Sequence, residues 1–299
     1  MKFTNKHNYP GPFVRAVTGG DTYDKGEADY SITELISAPR QTQLLKRHDA
    51  QLEEDVSDRL WVLGGTVAHE ILARSGKEER ELFEKRLYAT IAGKRVGGKL
   101  DSLCLVSGLL SDYKWTSAWT YVHGREEWVF QTNMYGFLAR ENGFKVTALE
   151  IFGMFRDWSE TRAAQSQDYP QTNCARIPIE MWPHEKAREF IKERVLLHDA
   201  AKLVGDDFLA PCTPEERWQK ETTYAVMKPG RKSALMVLDN LATATAAATG
   251  GQYVQTRLGA ARRCAGYCPV GKATGICSQW NADSTNPANV ALPEVSVAS

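Results

Sequence analysis

The sequence predicts an α/β protein in which a central mixed β-sheet is flanked by helices. Three strand-like segments, roughly 82–92, 95–106 and 109–116, follow one another with turn signals at Gly93-Lys94 and Ser107-Gly108. This pattern is typical of an antiparallel meander. Helical periodicity comes before and after the three strands, and a further strand at 145–156 completes the sheet. The segments together predict an αβββαβ core.

The N-terminal third of the chain changes from irregular to helical. Residues 1–30 carry Pro10, Pro12 and little apolar periodicity, so we expect an irregular arm. Ser31 and Glu34 have the spacing of a capping box and predict a helix start. A longer helix is predicted over 55–75, because apolar residues recur there at steps of three and four positions and define one apolar face. Those residues are Val56, Leu60, Leu63, Val67 and Ile71.

A second long helix is predicted from Glu126 to Asn142, with a C-terminal stop at Gly143. Beyond the sheet, 157–182 is rich in loop residues and 184–204 has the pattern of a charged amphipathic helix. A hairpin is then predicted over 223–237, and its tip carries a basic cluster with the charge to contact phosphates. Those residues are Lys228, Arg231 and Lys232. A solvated turn explains such a cluster equally well.

Four regions follow from these patterns: an N-terminal arm at 1–30, a core with its flanking helices at 31–204, a cysteine-rich region with the hairpin at 205–280, and a polar, disordered tail at 281–299. No apolar run approaches the roughly 20 residues of a membrane span, and the first residues lack an apolar signal region. We therefore expect a cytoplasmic protein. With 37 basic and 37 acidic residues, any binding of a polyanion depends on local patches.

The chemistry is concentrated between Gly97 and Tyr135. Asp101 lies in the middle of a predicted strand, where a carboxylate is unfavourable without a partner. On the next strand, Asp112 and Lys114 are two positions apart and so face the same side. Two carboxylates can hold a hard divalent cation, and a lysine beside them can orient water or offset charge on a phosphate. This combination indicates phosphodiester cleavage.

Four short motifs on the predicted helix, strands and helix carry a resemblance to a known family. The motifs are Gly65-x-x-x-His69, Gly98-x-x-Asp101, Asp112-x-Lys114 and Gln131-x-x-x-Tyr135. In this order and spacing they resemble the RecB-like branch of the PD-(D/E)xK nuclease superfamily. The resemblance covers about 31–156 and implies a restriction-endonuclease-like core.

The resemblance also implies roles for individual residues. His69, Asp101 and Asp112, helped by the Tyr113 carbonyl, would ligate Mg²⁺ or Mn²⁺, and Lys114 would position the attacking water. Gln131 and Tyr135 would contact the DNA backbone or steady that lysine. A lone histidine on a helix is more often structural than a ligand, so His69 depends on the downstream acids for this interpretation.

Six cysteines in a chain without a secretion signal argue against a disulfide framework. Four of them have the spacing of metal ligands, namely Cys212, Cys264, Cys268 and Cys277. This end of the chain resembles the iron–sulfur nucleases of the same branch, which include CRISPR-adaptation nucleases and phage exonucleases. A [4Fe–4S] cluster or Zn²⁺ would suit four thiolates. In those relatives the first cysteine precedes the histidine motif, whereas here Cys212 must serve, and buried free thiols remain the alternative.

The sequence thus predicts a metal-dependent DNA nuclease, specifically an exonuclease acting on DNA ends in recombination, repair or phage DNA processing. A structure-specific endonuclease and a non-catalytic DNA-binding protein with the same fold remain alternatives. DNA is the expected partner and a membrane is not. A homo-oligomer and a partner protein in recombination or replication stay open, and a phage-encoded chain would work in the cytoplasm of the host.

Overall fold

The computed structural model describes residues 1–19, 25–76, 79–272, 275–283, 285 and 286. Its strands are β1 (Lys2–Thr4), β2 (Tyr30–Ser31), β3 (Glu53–Asp55), β4 (Glu81–Ile91), β5 (Lys94–Cys104), β6 (Leu109–Thr116), β7 (Ala148–Phe155), β8 (Cys174–Ile179), β9 (Thr223–Met227), β10 (Met236–Leu238) and β11 (Tyr253–Arg257). Its helices are α1 (Gly11–Thr18), α2 (Ile32–Ile36), α3 (Pro39–Arg47), α4 (Leu60–Ser75), α5 (Trp119–His123), α6 (Glu126–Glu141), α7 (Glu160–Gln165), α8 (His184–Lys202), α9 (Leu241–Ala247), α10 (Arg262–Gly266), α11 (Pro269–Lys272) and α12 (Ser278–Asn281).

The chain forms two compact units. The sheet unit consists of Phe3–Ser37 and Glu54–Leu203. The cysteine unit consists of Met1–Lys2, Ala38–Glu53 and the described residues from Val204 onward. No helix in the described part of the chain is long and apolar enough to cross a membrane.

A six-stranded mixed sheet organises the sheet unit, in the order β2-β5-β6-β7-β8 with β4 also paired to β5. Strands β4, β5 and β6 are antiparallel neighbours, as the turn signals predict. Strand β7 returns parallel to β6 after α6 and pairs with all eight of its residues. The structure therefore confirms the predicted mixed sheet flanked by helices.

Helices α2, α6 and α8 bury the core of this unit against the sheet. Fully buried residues from the helices meet buried leucines from the strands, among them Met134, Phe137, Leu138, Ile191, Val195, Leu100 and Leu110. Gly98 permits the close approach of α6, because a Cβ at this position would lie 2.8 Å from the ring of Tyr135 and 2.7 Å from Ile32. The glycine before Asp101 is therefore required by packing.

Strands β5 and β6 separate after a short stretch of pairing. In the described residues they pair at Ser102 with Ser111 and at Leu103 with Leu110. Further along the same edge, β5 pairs in parallel with β2 at Val96 and Gly97. The edge of β5 between these two contacts is open. We call this opening the strand fork.

Three features differ from the sequence-based expectations. The arm at 1–30 is not wholly irregular, since it contains β1 and α1, and Pro12 stands in the first turn of α1, where a proline costs no hydrogen bond. The loop-rich segment at 157–182 contains β8, which tolerates Pro178 because it lies at the edge of the sheet. Helix α4 ends where predicted but begins at Leu60, because Val56–Arg59 forms a separate 3-10 helix in which Val56 is buried. None of the residues of α4 is buried, and its apolar face is largely exposed.

The cysteine unit contains a three-stranded antiparallel sheet in the order β10-β9-β11. Arg40 on α3 fastens two later segments of this unit, because its guanidinium donates to the Leu209 carbonyl at 2.6 Å and to Ser278 Oγ at 2.7 Å. Of the predicted tail at 281–299, Asn281 ends α12, while residues 284 and 287–299 lie outside the described residues. The predicted boundaries of the four regions stay predictions.

His198 on α8 gives the sheet unit a defined pH response. Its side chain is fully buried, with Nε2 3.1 Å from the Ser37 carbonyl. Burial, together with the charge of Arg194, lowers its pKa from 6.5 to about 4. The unfolded chain takes up this proton near pH 6.5 and the folded protein does not. We therefore expect His198 to reduce the free energy of unfolding as pH falls from about 6.5 to about 4, by up to roughly 3 kcal/mol.

Urea denaturation at pH 7.5 and pH 4.5 measures this loss. In the His198→Gln variant the difference between the two pH values should be smaller than in the wild type by about that amount. His7→Gln is the matched control, because His7 is exposed. An equal pH dependence in the wild type and the His198→Gln variant would contradict the assignment.

Candidate functional site

Asp101 occupies the strand fork. Its Oδ2 accepts a hydrogen bond of 2.7 Å from the backbone N–H of Tyr113 on the neighbouring strand. The carboxylate thus uses a donor that becomes accessible where β5 and β6 separate. Asp101 is buried, as its position in the middle of a strand predicts. The second carboxylate oxygen is directed to α4.

His69 reaches the fork from α4 and contacts both strands. Its Nδ1 lies 3.3 Å from Asp101 Oδ1, and its Nε2 lies 3.1 Å from the carbonyl oxygen of Tyr113. The predicted association of His69, Asp101 and the Tyr113 carbonyl is therefore present in the structure. Histidine nitrogen, carboxylate oxygen and backbone carbonyl are all donors that Mg²⁺ or Mn²⁺ accepts.

Glu84 on β4 joins this cluster, although the sequence did not single it out. Its Oε1 lies 3.5 Å from His69 Nδ1, and its other oxygen forms an ion pair with Lys99. The ligand atoms of His69, Glu84 and Asp101 all lie within 4.8 Å of one another. We call these three residues the fork cluster.

The backbone explains how Glu84 reaches the fork. Its φ of 47° lies in the left-handed region, which a glutamate rarely adopts. In the pairing of β4 with β5, Phe83 is opposite Ser102 and Lys85 is opposite Leu100. Glu84 and Asp101 lie between these two pairs and are not paired with each other. In a regular strand, side-chain alternation would predict that Glu84 is an ordinary exposed acid. No local sequence signal indicates the left-handed backbone conformation at this position.

The fork cluster holds a proton strongly. Burial disfavours a charged His69, but the carboxylates of Asp101 and Glu84 outweigh burial and raise its pKa to about 10. A cation that uses His69 as a ligand must displace this proton and supply the positive charge in its place. The negative charge of two carboxylates around one imidazole thus favours a divalent cation.

Asp112 and Lys114 form the second part of the site. Asp112 is 1% exposed, and the Lys114 ammonium lies 2.6 Å from its Oδ2. Lys114 also donates a hydrogen bond of 3.0 Å to Gln131 Oε1, and the amide of Gln131 donates to the Tyr135 hydroxyl at 3.2 Å. The predicted pair on α6 therefore steadies the lysine, with Gln131 in contact with it and Tyr135 behind Gln131.

The buried carboxylate of Asp112 can accept a cation or a further hydrogen-bond donor. Burial raises its pKa to about 6, although the charge of Lys114 lowers it. Its Oδ2 makes the short ion-pair contact with Lys114 but receives no well-aligned hydrogen bond from the described residues. A buried oxygen without a hydrogen bond suits a cation ligand, and Asp101 and His69 are near enough to affect its pKa. Asp112 thus lies near the predicted ligands His69 and Asp101, but the group with ligand atoms within 4.8 Å of one another in the described residues contains Glu84 and not Asp112.

The basic cluster at the hairpin tip lies in the cysteine unit. Lys228, Arg231 and Lys232 are exposed in the connection between β9 and β10. Arg231 donates to Ser233 Oγ at 3.2 Å, which holds its side chain along the turn. Their contact with phosphates stays a prediction.

The four predicted cysteine ligands lie near one another in the cysteine unit. Cys268 and Cys277 are buried, Cys212 and Cys264 are partly buried, and all four are free thiols. Burial raises the pKa of Cys212 to about 12, and Glu216 and the other three sulfurs add to this effect. Gln279 fixes the backbone of Cys212 from both sides, at 2.8 Å to its N–H and 2.9 Å to its carbonyl. The remaining cysteines, Cys104 and Cys174, belong to the sheet unit.

Comparisons with known proteins do not assign the chain. No family model matches it, and no curated protein matches it. Eight chains of solved structures do match. One of them, described as the crystal structure of SSO0001, has 14% sequence identity and a TM-score of 0.44. The match covers 62% of the present chain and 84% of the SSO0001 chain. A similarity at this level supports no conclusion about function. Any functional proposal must therefore rest on the geometry of the site.

Removing the charge of Glu84 tests the fork cluster directly. We expect Glu84→Gln to weaken binding of Mn²⁺ about 10- to 100-fold, because a neutral amide replaces one of two carboxylates around His69. Isothermal titration calorimetry measures this affinity. Glu70→Gln is the matched control, since Glu70 lies next to His69 in the chain but is exposed and paired with Arg74 at 3.2 Å. Equal losses in the two variants would remove Glu84 from the site.

Proposed function

We propose that the protein is a metal-dependent nuclease that hydrolyses phosphodiester bonds of DNA, acting on DNA ends as an exonuclease. The observation that carries the proposal is the convergence of the fork cluster with Asp112 and Lys114 at the point where β5 and β6 separate. A cation site beside a partly buried lysine supplies the groups that metal-assisted hydrolysis of a phosphodiester uses. Action on ends comes from the resemblance to RecB-like exonucleases and is tested separately below.

His69, Asp101 and Asp112 would hold Mg²⁺ or Mn²⁺, with the Tyr113 carbonyl as a further ligand and Glu84 completing the fork cluster. The bound ion would polarise the phosphate and lower the pKa of a water molecule. Several carboxylates in one region supply the negative charge that such a site needs. In the absence of the ion, the His69 proton and the Lys99 ammonium balance part of that charge.

Lys114 is the residue suited to the reacting phosphate. Its ammonium is partly buried and held between Asp112 and Gln131, so it needs little reorganisation to stabilise negative charge. Gln131 fixes the direction of the lysine and Tyr135 fixes Gln131. These two residues act as positioning groups, and the geometry supports this role over direct contact with the DNA backbone.

The cysteine unit offers four thiols to one metal centre. The other three sulfurs are near enough to Cys212 to raise its pKa. Four thiolates suit a [4Fe–4S] cluster, whose four irons each take one thiolate, and Zn²⁺ is the alternative. The Gln279 contacts with Cys212 would hold the isolated ligand in place.

A cleavage assay tests the proposed nuclease. Purified protein is incubated with Mn²⁺ and end-labelled linear, circular and single-stranded DNA, and product lengths are read on a gel. An exonuclease releases short products from linear DNA and leaves circles intact, whereas an endonuclease opens the circles. Binding without cleavage of any substrate would favour the non-catalytic alternative.

Replacing Lys114 tests the catalytic assignment. We expect Lys114→Met to reduce the cleavage rate by ~10²–10³-fold, because one charge-stabilising donor is lost. In this variant the buried Asp112 carboxylate loses its counter-charge, which could destabilise the fold. The double variant Asp112→Asn/Lys114→Met removes both charges and is therefore tested as well. Lys145→Met is the control, since Lys145 is an exposed lysine of the same unit. Cleavage near the wild-type rate in a folded Lys114→Met protein would refute the assignment.

Anaerobic purification tests the cysteine site. We expect a brown protein that contains iron and absorbs broadly near ~400 nm. Cys268→Ser should lose this absorbance and unfold the cysteine unit first, because the energy of binding the cluster also stabilises the fold. Cys174→Ser should keep the colour. A colourless protein with one equivalent of zinc would identify zinc instead, and the absence of both metals would refute the site.

A further inference from the structure

We propose that α4 carries a binding track for single-stranded DNA, on which an unpaired base stacks against Trp61 while the strand runs along the helix to His69. The track consists of Trp61, Gly65 and His69. The inference rests on the proposed nuclease function, because it assigns the form of DNA that enters that site. It depends on contacts within the sheet unit alone.

Trp61 is exposed at the surface, and one face of its ring contacts the guanidinium of Arg156. Its side chain is 52% exposed, although an indole is normally covered in a folded domain. The guanidinium carbon of Arg156 lies 4.4 Å from the ring centroid. This contact holds the ring in one orientation and adds a positive charge for a phosphate. An exposed aromatic face next to a guanidinium is the arrangement on which unpaired bases stack.

The position of Arg156 connects this surface to the catalytic strand. Its backbone N–H donates to the carbonyl of Thr116 at 2.9 Å, two residues after Lys114 on β6. Asp157 follows it and also affects the local charge, but its two oxygens accept hydrogen bonds from Ser117 and Ala118 at 2.6 and 2.7 Å. These two bonds hold Asp157 against the connection that follows β6.

Helix geometry aligns the track. Trp61, Gly65 and His69 are separated by four residues each, so they lie along the same face of α4. Eight residues at ~1.5 Å per residue place His69 about 12 Å from Trp61 along the helix axis. At the rise of ~3.4 Å per nucleotide of a stacked strand, that distance corresponds to roughly three to four nucleotides. The stacked base would therefore lie a short distance from the phosphate that is cleaved.

Gly65 keeps the path open, and Gly64 allows a second aromatic ring to pack against the helix. A Cβ at Gly65 would meet no atom within 4 Å, so the space above the middle of the track is free. A Cβ at Gly64 would lie 3.0 Å from the indole nitrogen of Trp115, which shows that this exposed ring rests against the helix. Trp115 follows Lys114 directly and extends the aromatic surface from β6 to α4. A base must be unpaired to reach these rings, because pairing and stacking in a duplex cover its faces.

Binding without cleavage tests the track. A fluorescein-labelled oligothymidylate is titrated with protein in EDTA, and fluorescence anisotropy gives the affinity. We expect Trp61→Ala to bind roughly tenfold more weakly, since a stacked base contributes on the order of 1–3 kcal/mol. Trp61→Phe should stay within about threefold of the wild type, because it keeps an aromatic face. Tyr253→Ala, which removes an exposed ring from the cysteine unit, should bind as the wild type does.

A second variant tests the path independently of the stacking ring. Gly65→Leu fills the open space and favours the helix, so the protein should fold while its affinity for the oligonucleotide falls by a similar factor. A blunt duplex of equal length should bind more weakly to the wild type and be insensitive to Trp61→Ala. Unchanged oligonucleotide affinity in Trp61→Ala, or an equal loss for the duplex, would refute the single-strand track.

The metal-free assay separates this inference from the nuclease proposal. Lys114→Met should lose cleavage but keep its affinity for the oligonucleotide, because Lys114 acts on the reacting phosphate. If the wild type cleaves DNA while Trp61→Ala and Gly65→Leu bind normally, the nuclease stands and the track is wrong. If the variants lose affinity but no protein cleaves, the track stands and the nuclease is wrong.

Discussion

The burial of a single carboxylate constrains much of the sheet unit. Asp112 lies on a strand that pairs on both sides, and its side chain is almost completely removed from solvent. An unpaired charge at such a position costs roughly 3–5 kcal/mol, so a counter-charge must be on the same face. Lys114 meets this requirement two residues later. Gln131 in turn holds Lys114, Tyr135 holds Gln131, and the ring of Tyr135 fits only because residue 98 is a glycine.

The strand fork supplies the other requirement, which is access to backbone groups. In a continuous sheet, the N–H and carbonyl of Tyr113 would be used in pairing. Where β5 turns away from β6, the N–H is taken by Asp101 and the carbonyl faces His69. The separation of two strands thus creates a place where a side chain from a helix can reach the middle of a sheet. On the other edge of β5, the irregular backbone at Glu84 lets β4 contribute this carboxylate to the same cluster.

Much of the sheet could be predicted because its signals are local. Turn residues and apolar periodicity placed β4, β5, β6 and α6 close to their observed bounds, and an i, i+4 relation placed Gln131 beside Tyr135. Glu84 could not be found in this way, since its role depends on a left-handed backbone conformation. Strand β8 was not predicted because it contains Pro178. A proline is excluded from the interior strands of a sheet but is tolerated in an edge strand such as β8. The pattern of α4 correctly gave a helix with an apolar face but could not show that this face is left exposed.

The eight-residue parallel pairing of β6 with β7 has a consequence for how the protein could fail. A slip of one residue between these strands would turn Asp112 and Lys114 to the opposite side of the sheet. Hydrogen bonding along the strands would survive such a slip, and so would most of the secondary structure. The product would be a folded protein with no site, which circular dichroism would not distinguish from the active one. The fully buried Leu110 of β6 opposes this error, because the same slip would turn it to the other face.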